Sequence, residues 1–191
     1  MTTAAVSSDR PMRADARRNY DRIVAAAREE LSQRGTDASY DDIAKRAGVG
    51  AGTLYRHFPR RIDLVQAVYS DDIDTLVIAA DKAELAPDAF VGLEQWLHAF
   101  VRYANTKRVL LNEMHEAFER DPKLRVQLRE RMLTAAGRVL KRAQASNAVR
   151  RDITPDDLLQ LVGGMCLSAA ATPASNKRLL PVILEGLRTD S

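Results

Sequence analysis

Cysteine is nearly absent from this sequence of 191 residues, in which Cys166 is the only one. A single cysteine cannot form an intrachain disulfide, and it excludes a metal site built from several cysteines. No apolar run reaches the roughly 18 residues that a membrane-spanning helix needs, and the first twenty residues contain no continuous apolar segment typical of a secretion signal. These absences argue against a secreted disulfide scaffold and an integral membrane protein, so we expect a protein of the reducing cytoplasm.

Motifs of enzymatic chemistry are missing as well. The sequence has no glycine-rich phosphate-binding loop, no nucleophile elbow and no convincing Ser/His/Asp arrangement. The acidic residues near His115, which include Glu113, Glu116 and Glu119, are not interpreted as a metal site. We therefore expect neither catalysis nor a bound metal or cofactor.

What the sequence does contain is an ordinary globular composition with an uneven distribution of charge. Apolar residues make up 46% of the chain and charged residues 29%, which is enough apolar material for a sizeable core. Residues 1–66 hold 12 Lys/Arg against 9 Asp/Glu, whereas the remainder holds 17 of each. All of the excess positive charge lies in the first third, where it predicts an anionic partner such as nucleic acid. A solvated arginine-rich helix face is the alternative interpretation.

Apolar residues recur at the i, i+3, i+4, i+7 spacing of amphipathic helices, and neither strand alternation nor an internal repeat is found. The pattern predicts an all-α fold of about nine helices. The predicted ranges are about 15–34, 40–47, 51–57, 61–84, 88–104, 106–118, 122–146, 155–171 and 176–188. Asp121-Pro122 and Thr154-Pro155 open two of these helices, because a capping side chain precedes a proline at the first helical position. Thr172-Pro173 is expected to break a helix, and Pro181 to kink the last helix or to trim its first turn.

The segment GVGAGTLYRHFP, residues 48–59, predicts a helix-turn-helix. Ser39 has the position of a capping residue for a short first helix, and Gly48 permits the sharp turn that ends it. Gly50 stands at the N-cap of a second short helix, which Pro59 stops. Gly52, on the first turn of that helix, removes a side chain where the backbone has to approach something closely.

Residues 17–68 closely resemble the DNA-binding domain of the tetracycline-repressor family of bacterial transcriptional regulators. The matching residues are Arg22-Ile23, Ala26-Ala27, Gly35, Ile43-Ala44, Ala47-Gly48-Val49, Gly52-Thr53-Leu54-Tyr55, His57-Phe58 and Asp63-Leu64. The segment Arg150 to Leu158 also looks like one C-terminal subgroup of the family. Two departures stand out: Gly50 replaces a serine or threonine that caps the helix, and Arg60-Arg61-Ile62 replaces the Ser-Lys-Glu of many members.

The resemblance implies a set of DNA contacts. The second helix of the motif is expected to enter the major groove, with Ala51 and Thr53 at base edges and Arg56 at phosphate or guanine. Tyr55 and His57 resemble the family's phosphate-contacting pair, while Leu54 and Phe58 are expected inside. The full predicted set is Arg13, Arg17, Arg18, Ser39, Tyr40, Ala51, Gly52, Thr53, Tyr55, Arg56, His57 and Arg61. Without the resemblance, Tyr55 would be interpreted as core, His57 as a surface histidine and Ser39 as a helix cap only.

We expect three segments: a flexible basic arm over residues 1–15, the helix-turn-helix domain over 16–75, and a ligand-binding and dimerisation domain over 76–191. The residues predicted to line a small-molecule cavity are Trp96, Phe100, Tyr103, Leu110, Met114, Phe118, Leu133, Met165 and Cys166, with ordinary core as the alternative for each. The last two helices are more apolar than surface helices need to be, which predicts a two-fold dimer through a four-helix bundle. The residues predicted for that interface are Leu158, Leu161, Val162, Gly163, Met165, Leu179, Val182, Ile183 and Leu187.

These expectations combine into a homodimeric transcriptional repressor that binds a pseudo-palindromic operator and is released by a small-molecule effector. The long fourth predicted helix spans both domains and is expected to carry the coupling. Two rival functions are a small-molecule-binding helical protein with a vestigial DNA-binding head, and a nonspecific architectural DNA binder.

Overall fold

A computed structural model describes residues 9–109 and 111–189 of the chain. Within these residues the fold is all-α, as predicted, with nine α-helices and one 3-10 turn, Gly35–Asp37. The helices are α1 (Asp9–Arg34), α2 (Tyr40–Ala47), α3 (Ala51–His57), α4 (Arg61–Glu84), α5 (Ala89–Val109), α6 (Leu111–Arg120), α7 (Pro122–Ala145), α8 (Pro155–Leu167) and α9 (Pro173–Leu187). None of the described helices is both long enough and apolar enough to cross a bilayer.

Several helix boundaries differ from the sequence-based prediction. Helix α1 begins at Asp9, six residues before the predicted start, so Arg13 belongs to a helix and not to an arm. Helix α5 continues to Val109, through residues that were assigned to the next helix. Helix α8 ends at Leu167, where Ser168 takes an extended conformation and its amide donates to the Gly164 carbonyl.

The start of the last helix was also misplaced. Thr172-Pro173 opens α9 and does not merely break the helix before it: the Thr172 hydroxyl accepts from the Ser175 amide at 3.0 Å, and the Ser175 hydroxyl in turn accepts from the Thr172 amide at 2.8 Å. This reciprocal capping box satisfies two amides at the helix start, and Pro173 lacks the amide that would otherwise stay unpaired there. Pro181 lies inside the same helix.

The chain divides into two compact units, and the division falls within α4, between Val68 and Tyr69. In the first unit, α1 packs against α2, and α2 against α3. Its core consists of fully buried side chains, among them Ile23, Leu31, Ile43, Leu54 and Leu64.

Arg61 links the start of α4 to the α1–α2 connection through hydrogen bonds. Its guanidinium donates from Nη1 to the Ala38 carbonyl at 2.5 Å and from Nη2 to the Gly35 carbonyl at 3.2 Å. These two carbonyls belong to the connection between α1 and α2, where the Gly35 carbonyl also accepts from the Ala38 amide at 3.3 Å. Arg61 therefore holds the start of α4 against that connection.

The second unit is built on three mutually packed helices, α5, α7 and α8, with α6 and α9 packed against them. Its core includes Trp96, Leu97, Leu140 and Leu158, each at most 1% exposed. The Trp96 and Phe100 rings stack with their centroids 5.7 Å apart, and Trp96 Nε1 donates to the Leu76 carbonyl at 3.1 Å. The stack joins two residues one turn apart on α5, and the indole hydrogen bond fixes α5 against the part of α4 that belongs to the same unit.

Candidate nucleic-acid interface and ligand cavity

The turn between α2 and α3 depends on Gly48. This residue has φ +63° and ψ +38°, a left-handed conformation in which a Cβ is costly, and its amide donates back to the end of α2. A Cβ built on Gly48 would lie 2.4 Å from Arg22 Nη2, which donates to the Gly48 carbonyl at 3.0 Å. Its backbone conformation therefore favours glycine at this turn, whereas the flexible end of Arg22 could shift to make room for a Cβ.

Replacing Gly48 with alanine is expected to lower the free energy of unfolding by about 1–2 kcal/mol, because alanine resists the left-handed conformation. Chemical denaturation followed by circular dichroism measures this change. Gly52→Ala is the matched control, since nothing lies within 4 Å of a Cβ built there and alanine favours a helix. A Gly48→Ala protein as stable as the Gly52→Ala protein would contradict the argument.

Helix α3 has one buried side and one open side. Leu54 is fully buried and Phe58, which follows the helix, is 3% exposed, as predicted. Four residues of the helix, Ala51, Gly52, Tyr55 and Arg56, are exposed, and Thr53 and His57 are half-buried. The open side thus carries the α3 residues that were expected at DNA: Ala51, Gly52, Thr53, Tyr55, Arg56 and His57.

Aromatic contacts hold the Tyr55 ring in place while leaving it accessible. The ring centroids of Tyr55 and Tyr40 lie 5.0 Å apart, and the Tyr40 hydroxyl donates to the Phe58 carbonyl at 3.2 Å. Partial burial raises the pKa of Tyr40 to about 12, against the smaller lowering effect of Arg61. Tyr40 is therefore a neutral support for Tyr55 at physiological pH.

The second predicted phosphate contact, His57, has a similar support from α1. Its ring approaches that of Tyr20 edge-on, with centroids 6.2 Å apart, and the Arg17 guanidinium lies 5.6 Å from the Tyr20 centroid. Arg17, Tyr20 and His57 thus form a continuous group at one end of α3. The group brings a cation from α1 beside the helix-turn-helix.

The predicted arginine contacts have partners within the protein. Arg56 Nη2 donates to Thr53 Oγ1 at 3.1 Å, Arg17 pairs with Asp21 at 3.1 Å, and Arg18 pairs with Asp15. Exposed pairs of this kind contribute little, so a phosphate can replace the carboxylate. The side chain of Arg13 lies outside the described part of the structure.

Two predicted contacts receive structural roles. The Arg61 guanidinium donates to the Ala38 and Gly35 carbonyls of the α1–α2 connection, and its contact with DNA stays a prediction. Ser39 caps α2: its hydroxyl accepts from the Asp42 amide at 3.1 Å and donates to the Asp42 carboxylate at 2.8 Å. A hydroxyl has a single proton, so Ser39 has none left for a phosphate in this arrangement.

A cavity of about 270 Å³ opens between α5, α7 and α8 in the second unit. Phe100 and Tyr103, both predicted, line it together with Met132, Leu159 and Lys107. The Tyr103 hydroxyl forms a hydrogen bond of 2.6 Å with the Tyr69 hydroxyl. Burial is the main reason that the pKa of Tyr103 lies well above its usual value, so this wall of the cavity is uncharged.

The other predicted cavity residues lie elsewhere. Trp96, Met114 and Cys166 are buried in the core of the second unit, and Phe118 packs edge-on against the Tyr69 ring at 5.4 Å. Leu133 and Met165 are half-buried outside the lining, and Leu110 is outside the described residues. For these positions, ordinary core or helix packing replaces the predicted role.

Sequence reasoning missed the charged residues of the cavity, Lys107, Arg129 and Asp156. A signal for Lys107 was present, because residues 100, 103, 104 and 107 form one i, i+3, i+4, i+7 stripe and three of them are apolar. A lysine at the end of such a stripe is expected on the buried side of its helix, where its ammonium group faces apolar side chains. Arg129 and Asp156 come from other helices, and no local pattern links them.

The predicted dimer residues separate into two groups. Leu161, Leu179 and Val182 are 49%, 47% and 67% exposed, and Met165 and Ile183 are half-buried. The remaining four are buried within the chain and belong to its own core, which corrects their assignment to an interface: Leu158, Val162, Gly163 and Leu187. A Cβ on Gly163 would lie 3.9 Å from the Phe100 ring, so this glycine brings α8 close to α5 of the same chain.

His115 has one acidic neighbour at the i, i+4 spacing of a helix. Glu119 lies four residues from His115, and the His115 Nε2 to Glu119 Oε1 distance is 3.2 Å, with both side chains largely exposed. Within the described part of the chain, no three His, Cys, Asp or Glu side chains gather as they do around a metal ion.

Two short helices joined by a tight turn, with the second open on one side, define the class of helix-turn-helix DNA-binding proteins. Two family models match: bacterial regulatory proteins of the tetR family over residues 23–68, and the SbtR-like transcriptional regulator C-terminal domain over residues 86–189. The chain therefore belongs to the tetR family of transcriptional regulators.

Relatives agree with this assignment. A structure of a TetR transcriptional regulator, SCO0520 from Streptomyces coelicolor, is 29% identical, with a TM-score of 0.80 over 90% of this chain and 99% of that one. A TetR transcription regulatory protein from Mycobacterium vanbaalenii is 30% identical, with a TM-score of 0.74 over 94% of this chain and 100% of that one. The HTH-type transcriptional regulator SAR0097 of Staphylococcus aureus is 40% identical over 74 residues, and this match spans only 38% of that relative.

Proposed function

We propose that the protein is a homodimeric transcriptional repressor of the bacterial cytoplasm, which binds a pseudo-palindromic operator and is released by a small-molecule effector. The observation that carries the proposal is the open side of α3, where Tyr55 is 52% exposed while Leu54 beside it is fully buried. Exposed and half-buried side chains gathered on one side of a short helix that follows a tight turn support a helix that enters the major groove.

In the proposed complex, α3 lies in the major groove. Thr53 and Ala51 face base edges, where Thr53 can donate, accept or touch a thymine methyl group. The hydroxyl of Tyr55 and the ring of His57 contact phosphates and fix the position of the helix. Arg56 gives up its hydrogen bond to Thr53 and contacts a phosphate or a guanine instead. The Thr53 hydroxyl can then form a hydrogen bond with a base edge.

The proposed dimer brings together α8 and α9 of two copies, because Leu161, Leu179 and Val182 expose apolar surface on these helices. A two-fold interface places the same residues opposite one another. The two copies of α3 then face successive major grooves about one helical turn apart, which requires an operator with two-fold symmetry.

Release by an effector requires a ligand that binds one arrangement of the dimer more tightly than the other. The cavity beside Phe100 and Tyr103 is the proposed site. The Tyr103 to Tyr69 hydrogen bond connects the cavity wall to α4, which continues into the helix-turn-helix unit along the chain. A ligand that moves Tyr103 therefore acts directly on α4.

Tyr55→Ala is expected to weaken operator binding by about 10- to 100-fold, because it removes a hydrogen bond to a charged phosphate. The measurement is a fluorescence anisotropy titration of the DNA upstream of the protein's own coding region, with scrambled DNA as competitor, at two salt concentrations. Tyr55→Phe keeps the ring on Tyr40 and is expected to show most of the same loss, which isolates the hydroxyl.

Ile78→Ala is the matched control, since Ile78 is an equally exposed large side chain, at 53%, outside the helix-turn-helix. It is expected to leave the affinity unchanged. Equal binding of scrambled DNA with a steep salt dependence would favour an architectural DNA binder instead. If no DNA is bound at either salt concentration, the head is vestigial and the proposal fails.

A further inference from the structure

The cavity between α5, α7 and α8 combines an apolar interior with a cation from α5. Phe100, Met132 and Leu159 supply apolar walls, and Lys107 reaches the same space. A volume of about 270 Å³ is nearly twice that of a cavity that holds benzene. The space therefore fits a small organic molecule with one ring or a short chain and a single polar group.

The charges of the cavity are only partly balanced. Arg129 Nη2 donates to Asp156 Oδ1 at 2.6 Å, and both of these side chains are exposed, so their pair stands where the cavity meets solvent. Lys107 is half-buried, and none of the described carboxylates forms an ion pair with it. A cation withdrawn from water without a counter-charge is unfavourable, which leaves a position for an anion.

The surroundings of Lys107 strengthen this preference. Burial lowers the pKa of Lys107, and the positive charges of Arg125 and Arg129 lower it further. These neighbours are cations that repel the ammonium group, and each of them also attracts an anion placed beside it. A bound anion would therefore remove a repulsion as well as gain a hydrogen bond.

From this geometry we infer that the effector is a small amphipathic carboxylate, whose carboxylate group accepts a hydrogen bond from Lys107 Nζ and whose apolar part packs against Phe100, Met132 and Leu159. Lys107 lines the apolar part of the cavity, so one carboxylate group can form a charge-assisted hydrogen bond with it while the rest of the ligand stays apolar. The inference rests on the proposed effector-dependent function of this cavity and names the chemistry of its ligand.

The test is calorimetric titration of the full-length protein with three carboxylates, benzoate, phenylacetate and hexanoate, and with their three matched amides. At least one carboxylate is expected to bind, and its amide to bind at least about tenfold more weakly, since the amide has the same shape and no charge. If none of the carboxylates binds, or if the amides bind equally well, the inference is overturned.

Variants assign the contact to Lys107. Lys107→Met is expected to weaken carboxylate binding by about 10- to 100-fold, whereas Lys141→Met, at an exposed lysine of α7, is expected to have no effect. Asp156→Asn frees Arg129 from its partner and is expected to tighten carboxylate binding several-fold, because a second cation becomes available. Unchanged binding in Lys107→Met would overturn the inference even if the carboxylates bind.

Operator release is measured separately, by adding the best carboxylate to the protein–DNA complex. Binding that depends on Lys107 without any change in DNA affinity would support the ligand chemistry and contradict the proposed regulation. Loss of DNA binding on addition of the carboxylate, together with carboxylate binding that depends on Lys107, would support both the ligand chemistry and the proposed regulation. The failure of the ligand inference and the failure of the proposed function are thus distinguishable.

Discussion

Trp96→Ala should lower the free energy of unfolding by about 3–5 kcal/mol, the largest loss expected from any single substitution considered for this protein. The Trp96 side chain is fully buried and stacks on Phe100 with an angle of 12° between the ring planes. Its removal leaves a cavity between α4 and α5 that rigid helices cannot close. The Leu76 carbonyl would also lose the hydrogen bond from the indole.

Denaturation with guanidinium chloride at one fixed protein concentration measures this loss, since the stability of the proposed dimer would depend on concentration. Trp96→Phe is the control: it keeps a ring against Phe100 and should cost about 1–2 kcal/mol for the lost volume and hydrogen bond. If Trp96→Ala were nearly as stable as the parent and mainly lost ligand binding, Trp96 would belong to the cavity, as the sequence analysis first suggested.

Val182→Glu should raise the dissociation constant of the proposed dimer by at least about 100-fold, because two-fold symmetry would place two buried like charges in one interface. Val182 is 67% exposed, so the fold of a single chain should tolerate the change. The proposed dimer would bring two heads to one operator, so its loss should weaken operator binding as well. Analytical ultracentrifugation over a range of concentrations measures the dissociation constant.

Val126→Glu provides the matched control for the dimer experiment. Val126 lies on α7, outside the proposed interface, and is 54% exposed. The variant adds the same charge at a similarly exposed valine, so it should remain dimeric and bind the operator normally. A dimer that survives Val182→Glu, or one that dissociates with Val126→Glu, would contradict an interface formed by α8 and α9.

The two regions of the chain differed in how much of them was predictable. In the helix-turn-helix, almost every prediction depended on residues within a few positions of one another. Ser39 caps the helix that it precedes, Gly48 takes the left-handed conformation that ends it, and Leu54 turns inward while Tyr55 turns outward. Such features follow from local steric and hydrogen-bonding rules and from helical periodicity.

In the second unit, apolar periodicity located the helices. It did not show whether a given apolar residue faces the core, the cavity or a second copy of the chain. Leu158 and Leu161 are equally apolar and three residues apart, yet one is fully buried in the chain and the other is half exposed. Phe100 lines the cavity, whereas Trp96, one turn earlier on α5, is not part of the lining and stacks on the Phe100 ring. Which apolar residues meet core, cavity or partner depends on how several helices pack.

The sequence by itself determined the all-α class, the helix-turn-helix and the side of α3 that stays open, because these depend on interactions between near neighbours along the chain. The tertiary structure decided the rest. Arg61 donates hydrogen bonds to carbonyls of the α1–α2 connection, and Lys107, Arg129 and Asp156 line one cavity. These groups come from segments far apart in sequence, so only the packing of the helices sets the distances on which their charges and hydrogen bonds depend.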